Sequence, residues 1–250
     1  MFLLKNGVLF NLVVLIVLAV AVIYYINKAK KGKAPTLRNF PAIEAFPEAV
    51  ARAVEQNRAV FFSPGDQSTM TSGAYSTQCT ASLHIMRYLG ELCAKAGAKF
   101  TAISPPIDAG MLPAMQAVHK EAYMAAGRMD RYNVDDVRFP ATQGGGAQVV
   151  ATLEILDQVQ ATSIVMIGAY SNDSMGIQEW GMTNGAMVIG GTVRQMMMFV
   201  AAMMAHYILI ADEIYAAGTK VSGDQSMTVS LAGADILKWL MGAIIIVGVK

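Results

Sequence analysis

Cysteine, histidine and charged residues are all scarce in this chain. Its two cysteines, Cys79 and Cys93, are too few for a disulfide framework. They lie in one predicted helix, about fourteen residues and therefore roughly 21 Å apart, which is too far for a bridge. We expect both thiols to be reduced. The three histidines have neither HExxH spacing nor a Cys-His pattern, so the sequence predicts no metal site.

Motifs for nucleotide binding and nucleophilic catalysis are also missing. The chain has no GxxxxGK(S/T) stretch, no GxGxxG after a strong strand, and no GxSxG elbow. A net charge of +1 gives no basic field for nucleic acid. We therefore predict no catalytic residue, no cofactor and no nucleic-acid partner. An enzymatic role stays open as the less favoured interpretation.

Apolar residues, in contrast, are abundant. They make up 54% of the chain against 15% charged residues, and the mean hydropathy is +0.42. The run from Val8 to Ile26 has no charge and reaches roughly 28 Å as a helix, enough to cross a bilayer. We predict an uncleaved transmembrane anchor at residues 1–27.

Basic residues after this run predict its orientation. They are Lys28, Lys30, Lys31, Lys33 and Arg38, against Lys5 on the other side. By the positive-inside rule the N-terminus faces outward and the following domain is cytoplasmic, at the cell membrane and in contact with lipid. Residues 231–250 are a candidate for a second span, in which Asp235 and Lys238 could pair. The alternative is an apolar helix that docks in an assembly.

The body of the chain alternates short apolar runs with helical segments. After a basic, proline-containing linker at 28–47, we predict an α/β domain at 48–225. Predicted strands are 59–63, 99–104, 137–139, 162–170, 187–189 and 207–211. Predicted helices are 46–57, 79–96, 113–127, 146–161 and 194–205, with another that opens at 212–213. This order predicts a Rossmann-like parallel or mixed sheet with covering helices.

The apolar stretch 189–213 has two interpretations. It is either a helix and a strand of the α/β domain or a spanning helix at 195–211. The second has about seventeen residues, the short limit for a span, and would bury His206 in lipid. We favour the first. A helix at 195–205 is apolar on all sides and must be covered, so we predict an oligomer interface there rather than a core helix or a membrane contact. The interface residues predicted are Met197, Met198, Val200, Met203 and Met204.

Small, hydroxyl-bearing and acidic residues follow several predicted strands. In open α/β sheets, ligands bind outside the carboxyl ends of the strands. The candidate ligand-binding residues are Gly65, Asp66, Gly144, Gly145, Gly146, Asp173, Gly191, Thr192 and Asp212. Such residues also make turns and helix caps, which is the competing interpretation.

Two functions are consistent with these patterns. The first is a membrane-anchored, non-catalytic α/β protein that acts as an oligomeric scaffold or as an accessory subunit of a larger membrane complex. The second is a membrane-tethered enzyme or sensor that binds a small phosphate-bearing ligand at the strand-end loops. The first is favoured by the predicted anchor, the excess of apolar residues and the fully apolar helix at 195–205, whereas no motif supports the second.

Overall fold

A computed structural model of the chain describes residues 6–30, 37–71, 73, 75–140, 145–224, 227–232, 235, 238, 239 and 242. These belong to two units, one of Asn39–Ser222 and one of Met1–Arg38 with Gly223–Lys250. The strands are β1 Ala59–Ser63, β2 Lys99–Ile103, β3 Val137–Arg138, β4 Ser163–Ile167, β5 Met187–Thr192 and β6 Tyr207–Ile210. The helices are α1 Asn6–Lys30, α2 Pro41–Glu44, α3 Phe46–Glu55, α4 Ser76–Ala96, α5 Met111–Ala125, α6 Gly145–Val159, α7 Met175–Thr183, α8 Gln195–Met204 and α9 Glu213–Ser222.

The described strands form one six-stranded sheet in which every pair is parallel. The strand order is β3-β2-β1-β4-β5-β6, the doubly wound Rossmann-like order. The predicted fold class is therefore confirmed for the α/β domain. Since both faces of such a sheet are covered, its strands can be apolar at every position; all five residues of β1 and of β4 are buried.

Two apolar cores cover the two faces of the sheet. One joins the sheet to α2, α3, α4, α5 and α9, with Phe46, Leu89 and Met115 among its buried side chains. The other joins it to α6, α7 and α8. The helices that connect β1, β2 and β3 therefore lie on one face, and those that connect β3, β4, β5 and β6 lie on the other. The direction of winding reverses between β1 and β4.

The stretch 189–213 belongs to the α/β domain. α8 and β6 occupy it, so the interpretation as a spanning helix was wrong. β5 continues through Gly190 and Gly191, where the sequence predicted its end. A Cβ on Gly190 would lie 3.2 Å from the Ala205 Cβ and 3.3 Å from the Ala201 Cβ. Gly190 thus lets α8 pack closely on the strand, whereas a Cβ on Gly191 would lie 3.1 Å from the Leu209 Cβ on β6.

The structure has two helices that the sequence did not predict. α2 lies within the predicted linker at 28–47, with Ala42 and Ile43 buried. Its first residue, Pro41, begins a helix instead of breaking one, because proline lacks an N–H that the first turn does not need. α7 lies in a stretch rich in glycine, serine and asparagine. It forms because Gly181 packs tightly against the sheet, where a Cβ would lie 2.6 Å from Val188 Cγ2.

The terminal unit contains α1, whose described side chains include several large exposed apolar groups: Leu15, Ile16, Val20 and Ile23. Among the residues that the structure describes, no helix has the length and sustained apolarity needed to cross a bilayer. Most of the predicted second span at 231–250 is outside the described residues. Within it, Lys238 Nζ lies 2.9 Å from Asp235 Oδ1, so the predicted pair is present.

Candidate functional site

The candidate site is at the carboxyl ends of β1 and β4. In a doubly wound sheet the loops after these strands diverge to opposite faces, and the crevice between them is the usual position of a ligand. Here the two loops begin at Pro64 and at Gly168. Three of the strand-end residues that the sequence selected, Gly65, Asp66 and Gly145, are near this point.

The two loops cross each other at two glycines. Ala169 N donates a hydrogen bond to Pro64 O over 3.0 Å, and Gln67 N donates to Ala169 O over 3.0 Å. Gly65 has φ +96°, and a Cβ there would lie 2.0 Å from Ala169 O; Gly168 has φ +153°, and its Cβ would lie 1.7 Å from Pro64 O. A side chain at either glycine would force the loops apart. Gly65 and Gly168 therefore allow the two loops to approach each other closely.

Asp66 stabilises the loop crossing through its side-chain carboxylate. Its side chain is buried, and Oδ1 accepts hydrogen bonds from Ser171 N at 2.8 Å and from Ser174 Oγ at 2.9 Å. Its Oδ2 accepts from Gln67 Nε2 at 2.8 Å. Both carboxylate oxygens therefore bond within the two loops. The carboxylate acts as an acceptor for the backbone turn that leads into α7.

The space left at the crevice is small. A cavity of about 10 Å³ lies among Ser63, Asp66, Gly145, Gln148 and Tyr170. That volume is of the order of one water molecule. Tyr170 closes one side, since its hydroxyl donates to Ser63 O at 2.6 Å. Burial, and then the nearby charge of Asp66, raises the pKa of Tyr170 well above its ordinary value. Among the described residues, loop backbone and side chains therefore occupy most of the space between the carboxyl ends of β1 and β4.

A second carboxylate joins the loops after β1 and β2. Asp108 Oδ2 accepts hydrogen bonds from Thr69 Oγ1 at 2.8 Å and from Met70 N at 3.0 Å, while Oδ1 accepts from Gly110 N at 2.9 Å. The Thr69 hydroxyl, assisted by the backbone N–H groups, lowers the pKa of Asp108. This carboxylate too serves the loop structure.

The remaining predicted ligand-binding residues are more dispersed. Gly145 lines the small cavity, whereas Gly146 is exposed and has no neighbour near a Cβ position. Gly191 is one strand away, where its carbonyl accepts from Gly168 N at 2.9 Å, and Thr192 Oγ1 accepts from Arg194 N at 3.2 Å. Asp212 follows β6 at the far edge of the sheet. Gly144 and the Asp173 side chain are outside the described residues.

Several residues at this point were not selected from the sequence. Gln148, Tyr170 and Ser174 line the cavity, and Arg194 Nη1 donates to Tyr170 O at 2.5 Å. Tyr170 and Ser174 lie in the segment after β4. Their position after a predicted strand was the signal by which the sequence could have selected them. Within the part of the chain that is described, no group of histidine, cysteine, aspartate and glutamate side chains is suited to hold a metal ion.

The predicted interface residues on α8 have different environments. Met197 and Val200 are buried against the sheet, Met198 and Met204 are half-buried, and Met203 is 71% exposed. Met196 and Phe199, which the sequence did not select, are 69% and 74% exposed. Met196, Phe199 and Met203 are spaced by three and four residues, so they share one side of the helix. We call these three residues the α8 face.

The chain belongs to the family described as Domain of unknown function (DUF6754), which it matches over residues 2–250. Neither the comparison with curated proteins nor the comparison with solved structures gives a match.

Proposed function

We propose that this chain is a membrane-anchored, non-catalytic scaffold or accessory subunit, whose α/β domain associates with a second copy or with a larger membrane complex through the α8 face. The observation that carries the proposal is the exposure of Met196, Phe199 and Met203, each about seven-tenths accessible, on one side of a helix whose opposite side packs on the sheet. Methionine and phenylalanine are enriched where protein interfaces form.

The alternative function has less geometric support. A small phosphate-bearing ligand at the strand-end loops would need space between β1 and β4, and the cavity among the described residues there is about 10 Å³. The loops that would hold it are bonded to each other, and Asp66 already uses both of its oxygens. Association through a surface that is already formed needs no such rearrangement.

The membrane part of the proposal stands on the sequence. The uncharged run from Val8 to Ile26 and the basic residues after it predict an anchor with the N-terminus outside and the domain in the cytoplasm. The exposed apolar side chains of α1 are consistent with contact with lipid. A scaffold held in the plane of a membrane also gains effective concentration for association.

The test is the mass of the full chain extracted in mild detergent, measured by native mass spectrometry. We expect a homo-oligomer or a stable complex for the wild type. Phe199→Glu should disperse it, because the new charge would be desolvated in an apolar contact. Val150→Glu is the matched control, since Val150 is 66% exposed on α6 and lies outside the α8 face.

Thermal unfolding separates association from folding. Phe199→Glu and Val150→Glu should both fold and unfold cooperatively, whereas Met197→Glu should not fold because Met197 is only 2% exposed. A wild type that is a monomer without partners would refute the proposal. So would a Phe199→Glu variant with an unchanged complex mass.

A further inference from the structure

A groove without an assigned role lies at the opposite end of the sheet from the loop crossing. Its volume is about 440 Å³, within the range of small-molecule sites. It lies beside the first residues of β1 and β2 and below β3. We call it the basic groove, because three cationic side chains line it: Lys99, Arg131 and Arg138.

The groove exists because β3 is short. In the described sheet β3 pairs with β2 only at Ala102 and Ile103. The edge of β2 from Lys99 to Thr101 therefore has no partner strand beside it. The end of α6 and the segment between α5 and β3 form the other walls. A short edge strand thus produces a recess in place of a flat surface.

The charge in the groove is unbalanced. Its three cationic side chains oppose a single lining carboxylate, Asp136. Each cation has a neutral partner: Lys99 Nζ donates to Asn57 O at 3.2 Å, Arg131 Nη1 to Gly97 O at 3.1 Å, and Arg138 Nη1 to Gln158 Oε1 at 3.4 Å. Most N–H groups of the two guanidinium groups have no acceptor among the described residues. They are available to an anion from solution.

A buried histidine lies directly behind two residues that line the groove. His119 is 1% exposed, and neither ring nitrogen has a hydrogen-bond partner among the described residues. Its Nε2 is 3.5 Å from Asp136 Oδ2, and its ring stacks on Phe100 with centroids 5.2 Å apart. Phe100 and Asp136 both line the groove. Buried unpaired polar groups are rare in native proteins and are often retained at functional sites.

We propose that the basic groove binds a small phosphate-bearing molecule, with Lys99, Arg131 and Arg138 contacting the phosphate. A net lining charge of about +2 complements a phosphate monoester, which carries about −1.5 to −2 at neutral pH. Arginine forks pair with phosphate oxygens in a bidentate geometry. The aromatic walls add little apolar area, since Phe100 and Tyr123 are 2% and 3% exposed, so a compact polar ligand fits better than an extended apolar one.

The test is isothermal titration of the full chain in detergent with glycerol 3-phosphate, and with glycerol as the control that lacks the phosphate. We expect binding of the first only. Arg138→Gln should weaken it by at least ~10-fold, because a charge-assisted contact is lost. Asp136→Asn should strengthen it, a result that misfolding cannot imitate. Arg128→Gln is the matched control, because Arg128 pairs with Asp130 and does not line the groove.

A short-chain phosphatidic acid distinguishes the source of the phosphate. If it binds with the same dependence on Arg138 and glycerol 3-phosphate does not, the phosphate belongs to a lipid headgroup and the site is still supported. Absence of binding for both compounds at millimolar concentration would overturn the proposal. Equal weakening by Arg138→Gln and Arg128→Gln would also overturn it, because binding would then reflect general surface charge.

Discussion

Replacing Asp66 tests whether the crossing of the two loops stabilises the α/β domain. In Asp66→Ala, Ser171 N and Ser174 Oγ lose their acceptor in a mostly buried position. Each buried donor without a partner costs about 1–3 kcal/mol, so the two donors cost about 2–6 kcal/mol together. Because the desolvation cost of the carboxylate is removed at the same time, we expect a net cost of about 3 kcal/mol. For a domain of this size, 1 kcal/mol lowers the unfolding temperature by about 2–4 °C. The expected shift is therefore about 6–12 °C.

Asp66→Asn is the matched variant. Its amide oxygen can still accept from both serines, and the Gln67 side chain can rotate to offer its own oxygen. Only the charge assistance is lost, which predicts a cost of about 1 kcal/mol and a shift of about 2–4 °C. The unfolding temperature should therefore fall in the order wild type, Asp66→Asn, Asp66→Ala. This order is more informative than either shift alone.

Tryptophan fluorescence gives the assay, because the chain has only Trp180 and Trp239. A Trp239→Phe background leaves Trp180, which lies on α7 directly after the Asp66 contacts and donates to Asp157 Oδ1 at 2.9 Å. Thermal unfolding of the full chain in detergent then follows the α/β domain alone. If Asp66→Ala unfolds within about 1 °C of the wild type, or if the asparagine variant loses as much as the alanine variant, the assigned role is wrong.

Three further results are expected. Gly181→Ala should destabilise the domain by about 1–3 kcal/mol through overpacking, whereas Gly146→Ala should stabilise it by up to about 1 kcal/mol, because Gly146 is in an open helical position. The urea midpoint should therefore fall in the first variant and rise in the second, and shifts in the same direction would contradict the reasoning. Burial, followed by the charge of Asp108, raises the pKa of Cys79 from 9.0 to about 12, and burial also raises the pKa of Cys93. Iodoacetamide at pH 8 should therefore alkylate native Cys79 about 1000-fold more slowly than the unfolded chain, as mass spectrometry would measure. Asp108→Asn should lower stability at pH 7, and because the folded pKa of Asp108 is depressed, this difference should shrink as the pH falls below 3.8; a difference independent of pH would refute it.

The strands were predictable because burial on both faces leaves continuous apolar runs in the sequence. β1 was predicted at its observed limits, and the start of β2 at Lys99 and of β6 at Tyr207 were also predicted. His206 lies between α8 and β6, where the sequence pattern changes from helix to strand. Its Nδ1 accepts a hydrogen bond from Val188 N at 3.0 Å, a tertiary contact at the same position.

The missed features depend on contacts that local patterns do not encode. α7 contains two glycines and still forms, because Gly181 fits against Val188 and Ile164 across the sheet. Gly190 remains in a strand beside Ala201 and Ala205, and Gly191 remains in it beside Leu209 and Ile167 of the neighbouring strands. In each case the sequence shows a glycine, which is typical of turns. Its role in close packing depends on the neighbouring helix or strand, which the local pattern does not reveal.

The sites were predictable to different degrees. Asp66 could be selected because it follows β1, and Gly145 because it belongs to a triglycine that precedes a predicted helix. The hydrogen bonds between the loops after β1 and β4 could not be predicted, because they depend on how the two loops are placed in three dimensions. The basic groove could not be predicted either: Lys99, Arg131 and Arg138 belong to three separate segments and form no motif, and the length of β3 was needed to place them around one recess.

Closure of the loop crossing has an energetic consequence for any ligand between β1 and β4. To enter, such a ligand would have to separate two backbone hydrogen bonds between the loops and two bonds from the second loop to Asp66. At about 1 kcal/mol net for each bond, opening costs about 4 kcal/mol. A ligand that binds only the open form would then bind roughly 1000-fold more weakly than its intrinsic affinity. The basic groove and the α8 face carry no such penalty, because both are already open in the folded domain. For the described part of the domain, this penalty favours the proposed basic groove and the proposed α8 interface over the position that the strand order alone suggests.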